Sequence, residues 1–332
     1  MIVPIQHAGF GLPKYKKLIL SIESKIESGE LSIGDALPSI NELRHAFDFS
    51  RDTILTGLNE LKARGIIQAI SGKGFYVSSS DVSVKQKIFV LFDELNAFKE
   101  DLYNAFLNHL PSNYQVDIFF HHFNRGIFSK LISDHAGQYS FYVVMPANFG
   151  QAEVDLSQLS ANRVFVLDQT NKKLSEYPAV YQNFEKGIFE SLLSVNDRLG
   201  RYSKLNFVFS DKRQPKSMLK GFKRFESVNN IKTDYLKSLD ERQAAKGEAY
   251  LVLEDRDLIL LIKSVKSQGL VLGQDVGVIS YNDTMFKEIL EGGITTISTD
   301  FKTMGVNLAA MILNKENLKL ENPTHIIIRK SL

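Results

Sequence analysis

The sequence predicts an N-terminal winged helix-turn-helix followed by a larger α/β domain, and three observations support this division. Residues 13–77 combine helical apolar spacings with a glycine-bearing hairpin. Residues 78–86, "SSSDVSVKQ", are polar and lack apolar periodicity, as a linker does. From there on, short apolar strands alternate with helices. We therefore expect a winged domain over residues 1–79, a linker over 80–86 and an α/β domain over 87–332.

Start and stop signals divide the winged segment into three helices. The first begins after Pro13. The second begins at Ser39 and Glu42, which match the S-x-x-E capping box. In this motif each side chain accepts a hydrogen bond from the other residue's backbone amide. Ser50 is a favourable N-cap for the third helix, and Gly65 ends it.

The third helix has a buried stripe and a polar face. At 100° per residue, Ile54, Leu58 and Leu61 lie close together on one side. The first turn and the opposite side carry polar residues: Arg51, Asp52, Thr53, Thr56 and Asn59. A helix that presents short polar side chains beside a hairpin fits a DNA groove. A small helical domain that binds protein is the alternative, and the basic hairpin favours DNA.

Lysines supply the candidate phosphate contacts. Gly72 and Gly74 allow the positive φ of a tight turn, which presents Lys73 at the tip of the hairpin. Three more amines, on Lys14, Lys16 and Lys17, crowd the first turn of the first helix. They are either a solvated face or, together with the helix N-terminus, a phosphate contact.

The strand–helix alternation after residue 87 predicts parallel sheets covered on both faces. Ligands of such sheets bind outside the carboxyl ends of the strands. The side chains that follow the strands are therefore candidate ligand contacts: Asp93, Glu94, Pro146, Asp168, Gln169, Asp211, Glu254, Asp255, Asn282 and Asp283.

Composition excludes several classes of protein. The 332 residues contain no cysteine, which rules out disulfides, thiolate catalysis and Cys-ligated zinc. The sequence contains no run of about 18 apolar residues, so no membrane span is predicted. The N-terminus lacks the features of a signal peptide, and we therefore expect a cytoplasmic protein. The net charge is only +2, and residues 1–80 hold nine Lys or Arg against eight Asp or Glu. DNA binding must therefore depend on where charges are placed.

No catalytic motif explains the strand-end carboxylates. They could act as acid and base, or accept hydrogen bonds from vicinal hydroxyls. "SGKG" lacks the P-loop spacing, and neither a serine nucleophile elbow nor HExxH is present. "HHF" (121–123) could bind metal, but neighbouring histidines on a strand point to opposite faces, so one buried and one exposed histidine is expected. We expect no metal, no cofactor and no enzyme activity.

Two families are similar to this chain. Residues 13–77 resemble the GntR-family winged helix-turn-helix in "GDALPS", "INEL", "SRDTI", "LNELKARGII" and "SGKGFYV". Residues 87–332 resemble the LacI/GalR effector domain, a two-lobed, type I periplasmic-binding-protein-like fold, above all in "SQGLVLGQDVGVISYND" and "GGITTISTDFKTMGVNLAAMIL". The combination looks like the sugar-responsive regulators of the arabinose-repressor group.

For the winged domain, the resemblance implies contact of Arg51 with DNA, followed by Asp52 and Thr53. Asn41 and Leu55 stand where relatives often carry basic residues, so the operator need not be theirs. The full set of predicted DNA contacts is Lys14, Lys17, Ser39, Asn41, Ser50, Arg51, Asp52, Thr53, Thr56 and Lys73.

For the α/β domain, the resemblance implies an effector site between two lobes, predicted to comprise Asp93, Phe98, Pro146, Asp168, Asn183, Phe184, Lys216, Asp255, Asn282 and Asp283. Lys216 replaces a frequent arginine. We expect operator DNA, a small effector, favoured to be a monosaccharide, and a second copy of the chain as partners. Alternatives are a non-sugar effector, a solute-binding protein, or an α/β enzyme fused to a DNA-binding domain; the second would not carry a winged helix.

Overall fold

The computed structural model describes residue 2 and residues 13–210, 214–240 and 242–332. Its helices, besides three 3₁₀ turns, are α1 (Lys14–Glu27), α2 (Ile40–Phe47), α3 (Arg51–Ala63), α4 (Ala97–Asn108), α5 (Arg125–His135), α6 (Ala152–Leu156), α7 (Phe184–Ser194), α8 (Asn196–Leu199), α9 (Lys216–Val228), α10 (Asp255–Ser267), α11 (Met285–Ile289) and α12 (Phe301–Asn314). Its strands are β1 (Ile67–Ile70), β2 (Gly74–Val77), β3 (Gln86–Phe92), β4 (Tyr114–Phe120), β5 (Phe141–Val144), β6 (Val164–Asp168), β7 (Ala179–Gln182), β8 (Lys204–Val208), β9 (Lys232–Leu236), β10 (Glu248–Val252), β11 (Val276–Tyr281), β12 (Thr295–Thr299), β13 (Lys319–Asn322) and β14 (Thr324–Ile327).

The strands form one hairpin and two six-stranded sheets. The hairpin is β1–β2, and the sheets have the orders β4-β3-β5-β6-β7-β13 and β9-β8-β10-β11-β12-β14. Apart from the antiparallel hairpin and the antiparallel pair β12–β14, the registered neighbours run parallel. The predicted parallel sheets are therefore confirmed.

The chain divides into two compact units. The first contains Met1–Phe92, Leu110–Val144 and Gln151–Phe165, so it joins the winged segment to β3, β4 and β5. The second contains Asp93–His109 and Met145–Gly150 together with everything from Val166 onward. All residues proposed for the effector site belong to the second unit.

The predicted caps of the winged segment are present. Ser39 Oγ accepts the Glu42 amide at 3.2 Å, and the Glu42 carboxylate accepts the Ser39 amide at 2.7 Å, so the capping box is complete. Ser50 Oγ accepts the Thr53 amide at 3.2 Å and starts α3 where predicted. The three helices and the hairpin enclose one apolar cluster that includes Leu18, Ile54 and Leu58.

Five short strands were not predicted: β7, β9, β12, β13 and β14. Strands β7 and β13 have four residues each, and β13 lies at a sheet edge. The edge strand β9 is polar and nowhere fully buried, so it has no apolar run to detect. The segment "YQNFEKGIFESLLSVNDRLG" carries the helix α7, preceded by the end of β7 and followed by the short helix α8.

A glycine lets α4 lie close against α12. A Cβ added to Gly305 of α12 would come within 2.3 Å of the Leu102 carbonyl oxygen of α4. Any larger residue would push the two helices apart. This contact matters for the effector domain because α4 carries Phe98 and Lys99.

Candidate functional site

The exposed face of α3 is the candidate DNA-reading surface. Arg51, Asp52, Thr56 and Asn59 are exposed, as predicted, while the opposite stripe is fully buried. Thr56 Oγ1 donates to the Asp52 carbonyl oxygen at 2.7 Å. Arg51 is the first residue of α3, directly after the Ser50 cap, and it is exposed.

Close packing holds α3 against α1. A Cβ on Gly57 would lie 2.9 Å from Leu18 Cδ2, so the backbones approach as closely as a glycine permits. Lys16 Nζ forms an ion pair with Glu60 at 2.6 Å across the same two helices. Lys16 is therefore engaged within the domain. Lys14, whose amine lies 5.3 Å from the Phe49 ring centroid, is exposed.

The hairpin forms the predicted wing. Ile70 pairs with Gly74, and Gly72 and Gly74 adopt φ of 71° and 108°, as the tight turn requires. Lys73 is exposed between them. Ser39 and Asn41, at the start of α2, are exposed as well, whereas Lys17 is half-buried. The predicted DNA contacts remain predictions, and their exposure is compatible with that role.

A buried charged cluster joins two of the predicted effector residues. Asp93, directly after β3, forms an ion pair with Lys99 of α4, and both side chains are buried. Asp168, at the end of β6, is also buried and feels the charges of both. Burial raises the pKa of Asp168 to about 6, Asp93 adds to the rise, and Lys99 opposes it.

The cluster continues from β6 to its neighbour β7 in the same sheet, and from there to β11 of the other sheet. Gln182, the last residue of β7, donates from Nε2 to Asp168 Oδ1 at 2.6 Å. Tyr281, the last residue of β11, donates its hydroxyl to Gln182 Oε1 at 3.3 Å. Burial raises the pKa of Tyr281, so its hydroxyl stays protonated and keeps donating. A chain of hydrogen bonds thus links the carboxyl ends of β6, β7 and β11.

Two of the strand-end residues have left-handed backbones. Asp168 has φ of 71° and Asn282 has φ of 60°, a region that non-glycine residues seldom occupy. Such conformations persist where the surrounding structure enforces them, and they concentrate at binding sites. Asn282 Oδ1 is buried and has no hydrogen-bond partner, which leaves an acceptor available for a ligand donor.

Asp283 is engaged in the protein's own contacts. Its carboxylate receives two hydrogen bonds from the Arg329 guanidinium, at 2.7 and 2.8 Å, and one from Thr296 Oγ1 at 2.9 Å. Although burial opposes it, these bonds lower the pKa of Asp283. Asp283 also lines an open cavity of about 220 Å³ together with Phe98, Thr299 and Phe301.

The two aromatic rings of this cavity face each other. The centroids of Phe98 and Phe301 lie 4.7 Å apart. Asp101, Asp300, Lys302 and His325 add charged and polar groups to the lining. The cavity therefore combines an apolar wall with hydrogen-bonding groups, the composition of a small-molecule site.

The other predicted effector residues lie outside both clusters. Asn183 caps α7, accepts the Lys186 amide at 3.2 Å and donates to Glu321 at 3.1 Å. Phe184 is only 6% exposed, because it packs in the apolar cluster beneath α7 and α9. Lys216 is exposed at the start of α9. Pro146 is buried just after β5.

Asp255 has a buried partner that sequence reasoning missed. The exposed Asp255 carboxylate lies 2.9 Å from Lys287 Nζ, which also donates to the Tyr281 and Asn282 carbonyl oxygens at 2.7 and 2.8 Å. Burial lowers the pKa of Lys287, and Asp255 opposes that shift. Lys287 thereby fixes the backbone at the end of β11, directly before and at Asn282.

Sequence reasoning also missed Lys99 and Gln182. Lys99 follows Asp93 by six residues at the start of a helix, a signal that a search for charge partners near strand ends could have found. Gln182 had no such signal, because β7 was not recognised. Of the remaining strand-end candidates, Asp211 lies outside the described residues. His121 is buried and His122 exposed, as predicted, but both follow the end of β4 and do not lie in the strand.

The described residues offer neither a metal site nor a membrane-spanning helix. Among the described residues, no group of three or more His, Asp or Glu side chains is arranged to hold a metal ion. In the same part of the chain, every helix is too short or too polar to cross a bilayer.

Two segments of the chain match known protein families. Residues 14–77 match bacterial regulatory proteins of the gntR family, and residues 207–332 match the periplasmic binding protein-like domain. The chain therefore combines a GntR-type helix-turn-helix with a periplasmic-binding-protein-like domain. This is the composition of a DNA-binding regulator that is controlled by a ligand.

One relative aligns along nearly the whole chain. The arabinose metabolism transcriptional repressor of Geobacillus stearothermophilus is 24% identical over 361 aligned positions, which span 97% of this chain and 96% of that protein. A LacI family transcriptional regulator from Silicibacter pomeroyi has the same α/β fold, with a TM-score of 0.64, 15% identity, and coverage of 74% of this chain and 98% of that one. A dimeric Lac repressor has a TM-score of 0.60, 16% identity, and coverage of 74% and 98%.

The raised pKa of Asp168 predicts a pH-dependent stability difference. Its pKa is 3.8 in an ordinary setting and about 6 in the fold, so the folded state binds the proton more tightly than the unfolded chain. Stability must fall as pH rises through this window, by at most about 3 kcal/mol, because the shift is about two pKa units and each unit corresponds to about 1.4 kcal/mol. We expect the unfolding free energy of wild type, minus that of Asp168→Asn, to decrease between pH 4 and 6.5 in urea titrations. A flat or rising difference would contradict the buried carboxylate.

Proposed function

We propose that the protein is a transcriptional repressor whose winged domain, residues 1–79, binds operator DNA and whose α/β domain, residues 87–332, binds a monosaccharide or a close derivative. The observation that carries the proposal is the union in one chain of an exposed polar recognition helix and strand ends that hold buried hydrogen-bonding groups. The full-length similarity to a repressor of arabinose metabolism supports repression and a sugar effector. Such a protein acts in the cytoplasm and needs no catalytic step.

Each half of the proposed effector site supplies what a polyhydroxyl ligand needs. Asp168 and Asn282 offer acceptor oxygens, and Asn282 Oδ1 lacks a partner in the protein. The ring pair Phe98–Phe301 offers an apolar surface for a sugar face. Ligand binding that changes operator affinity 5- to 150-fold corresponds to a coupling free energy of about 1–3 kcal/mol.

We further propose that the repressor is a homodimer held together through α11. Met285, Phe286 and Ile289 of this helix are 86%, 52% and 77% exposed, whereas Lys287 between them is 1% exposed. The helix thus turns its apolar side chains outward and its charge inward, the reverse of an ordinary surface helix. A cluster of exposed apolar residues of this kind marks an association surface.

Dimer formation would also compensate for the small net charge of the winged domain. With a net charge near +1, one domain releases few counterions on binding, and each neutralised phosphate changes the slope of log K against log salt by only about 0.9. Two linked domains double the contacts and add a gain in effective concentration.

Arg51 is predicted to read a base. Its guanidinium can make paired hydrogen bonds to guanine in the major groove, so Arg51→Ala should cost about 1–3 kcal/mol and relax specificity at one base pair per half-site. The full-length protein would first select its operator from random-sequence DNA, and affinities would then be measured at fixed salt. Lys25→Ala, at the far end of α1, is the control. Equal losses on operator and random DNA would make Arg51 a phosphate contact instead.

Asn282 is predicted to bind the effector without contributing to DNA binding. L-Arabinose and other neutral monosaccharides would be screened by thermal shift, and the compound that stabilises wild type would then be titrated against operator-bound protein. Asn282→Ala should lose the response and keep the ligand-free operator affinity, whereas Asn314→Ala, exposed at the end of α12, should behave as wild type. If no monosaccharide stabilises wild type, the proposal of a sugar effector is wrong. If Asn282→Ala responds to the ligand as wild type does, the proposed location of the effector site is wrong.

The α11 surface is predicted to hold the dimer. Ile289→Glu places a charge in the proposed interface, so sedimentation velocity should show a monomer where wild type is a dimer. Val228→Glu on α9, where the native valine is 61% exposed but stands outside the α11 cluster, is the matched control and should remain dimeric. A dimeric Ile289→Glu would place the interface elsewhere.

A further inference from the structure

The segment between the wing and β3 is held to the protein along its length. Ser78 Oγ donates to the Gly65 carbonyl oxygen at 2.7 Å, and the Ser78 amide donates to the Ile66 carbonyl oxygen at 2.8 Å. Four residues on, Val82 is 6% exposed and belongs to the apolar cluster of the winged domain. Polar composition had predicted a linker here, but the contacts are those of a packed segment.

Arg64 is the centre of these contacts. It is the C-cap of α3, its side chain is 3% exposed, and its guanidinium forms an ion pair with Glu23 of α1. Arg64 Nε donates to the Val84 carbonyl oxygen at 2.9 Å, and Nη2 donates to the Val82 carbonyl oxygen at 3.3 Å. One buried cation therefore binds the end of the recognition helix, the first helix and the connecting segment together.

The far end of the segment is attached to the α/β part of the same unit. The Lys85 amide donates to the Asn113 carbonyl oxygen, just before β4, at 2.9 Å. Lys87, in β3, forms an ion pair with Asp117 at 2.9 Å, and its amine lies 4.8 Å from the Tyr139 ring centroid.

The side chain of Lys87 also passes beside the end of α3. A Cβ on Gly65 would lie 3.4 Å from Lys87 Cδ. Gly65 has φ of 73°, which favours glycine, so the chain turns immediately after α3 and leaves room for the lysine. The end of the recognition helix and the first strand of the α/β domain are therefore in contact through one side chain.

We propose that residues 78–87 form a rigid strap, in which Arg64 is a positioning residue that makes the recognition helix and the β3–β4 region one mechanical body. A flexible linker of this length would let the winged domain reorient freely. With the strap in place, α3 changes its orientation only when β3 and β4 move. This proposal goes beyond the assignment of operator and effector, and it does not depend on the identity of either.

The strap gives a ligand signal a defined route. Strand β3 ends at Phe92, and Asp93 of the buried charged cluster follows it directly. A displacement of β3 would be carried through Lys87 and Arg64 to the end of α3. The route needs no new contact to form, because each contact named here is already in the structure.

Spin-label distances test the strap, and the lack of cysteine in the chain makes labelling specific. Labels at Lys73→Cys on the wing and Lys130→Cys on α5 would be measured by double electron–electron resonance in the full-length protein, diluted with unlabelled protein to suppress distances between protomers. Both side chains are exposed and lie in the same compact unit. We expect one narrow distance distribution in wild type.

The test variant removes both charges of the buried pair, Glu23→Gln with Arg64→Met, because loss of one partner alone would leave an unpaired buried charge. We expect its distance distribution to be several-fold broader. Lys25→Gln, which breaks the ion pair between Lys25 of α1 and the exposed Glu30 just beyond that helix, is the control and should keep the narrow distribution. A broad distribution in wild type, or a narrow one in the double variant, would overturn the proposal.

A second variant covers the case in which the double variant fails to fold. Val82→Ser removes the apolar anchor of the strap and leaves the Glu23–Arg64 pair in place. It should broaden the distribution and raise hydrogen exchange at the Lys85 amide, while amides in the middle of α1 stay protected. Unchanged exchange and an unchanged distribution in a folded Val82→Ser protein would also overturn the proposal.

Discussion

A lysine buried beside two carboxylates is the interaction on which the α/β domain depends. Without Lys99, the buried carboxylates of Asp93 and Asp168, at the ends of β3 and β6, would lose the cation that offsets their charge, at a cost of several kcal/mol per ion. Its amine instead pairs with Asp93 and lowers the cost of ionising Asp168. The glycine contact between α4 and α12 supports this arrangement, because it fixes the helix that carries Lys99.

The same device recurs at two other junctions. Arg64 joins two helices of the winged domain to the strap, and Lys287 joins α11 to the carbonyl oxygens at the end of β11. In each case a long cationic side chain is buried at a place where an element ends and unpaired backbone oxygens need a donor. These contacts restrict how the elements they join can shift relative to one another.

Sequence reasoning predicted the winged domain best, because its signals are local. The Ser39–Glu42 box, the Ser50 cap and the Gly72–Gly74 turn each lie within a few residues, and each is present. The effector domain was predicted at the level of strand ends. The interactions between those strand ends could not be predicted, because Lys99 and Asp168, like Tyr281 and Gln182, are distant in sequence. Strand β7 is also too short to be recognised from its apolar pattern.

The strap also bears on where the winged domain could be joined to a different effector domain. A recombinant joined after Ser79 would separate Arg64 from the Val82 and Val84 carbonyl oxygens and leave a buried guanidinium short of acceptors. A crossover within β3 would carry the strap along with its helix, but the incoming strand would have to present a lysine beside Gly65. The boundary of the DNA-binding module is therefore set by hydrogen bonds and not by composition. A fusion made within the polar segment would yield a regulator whose winged domain is no longer held in a fixed orientation.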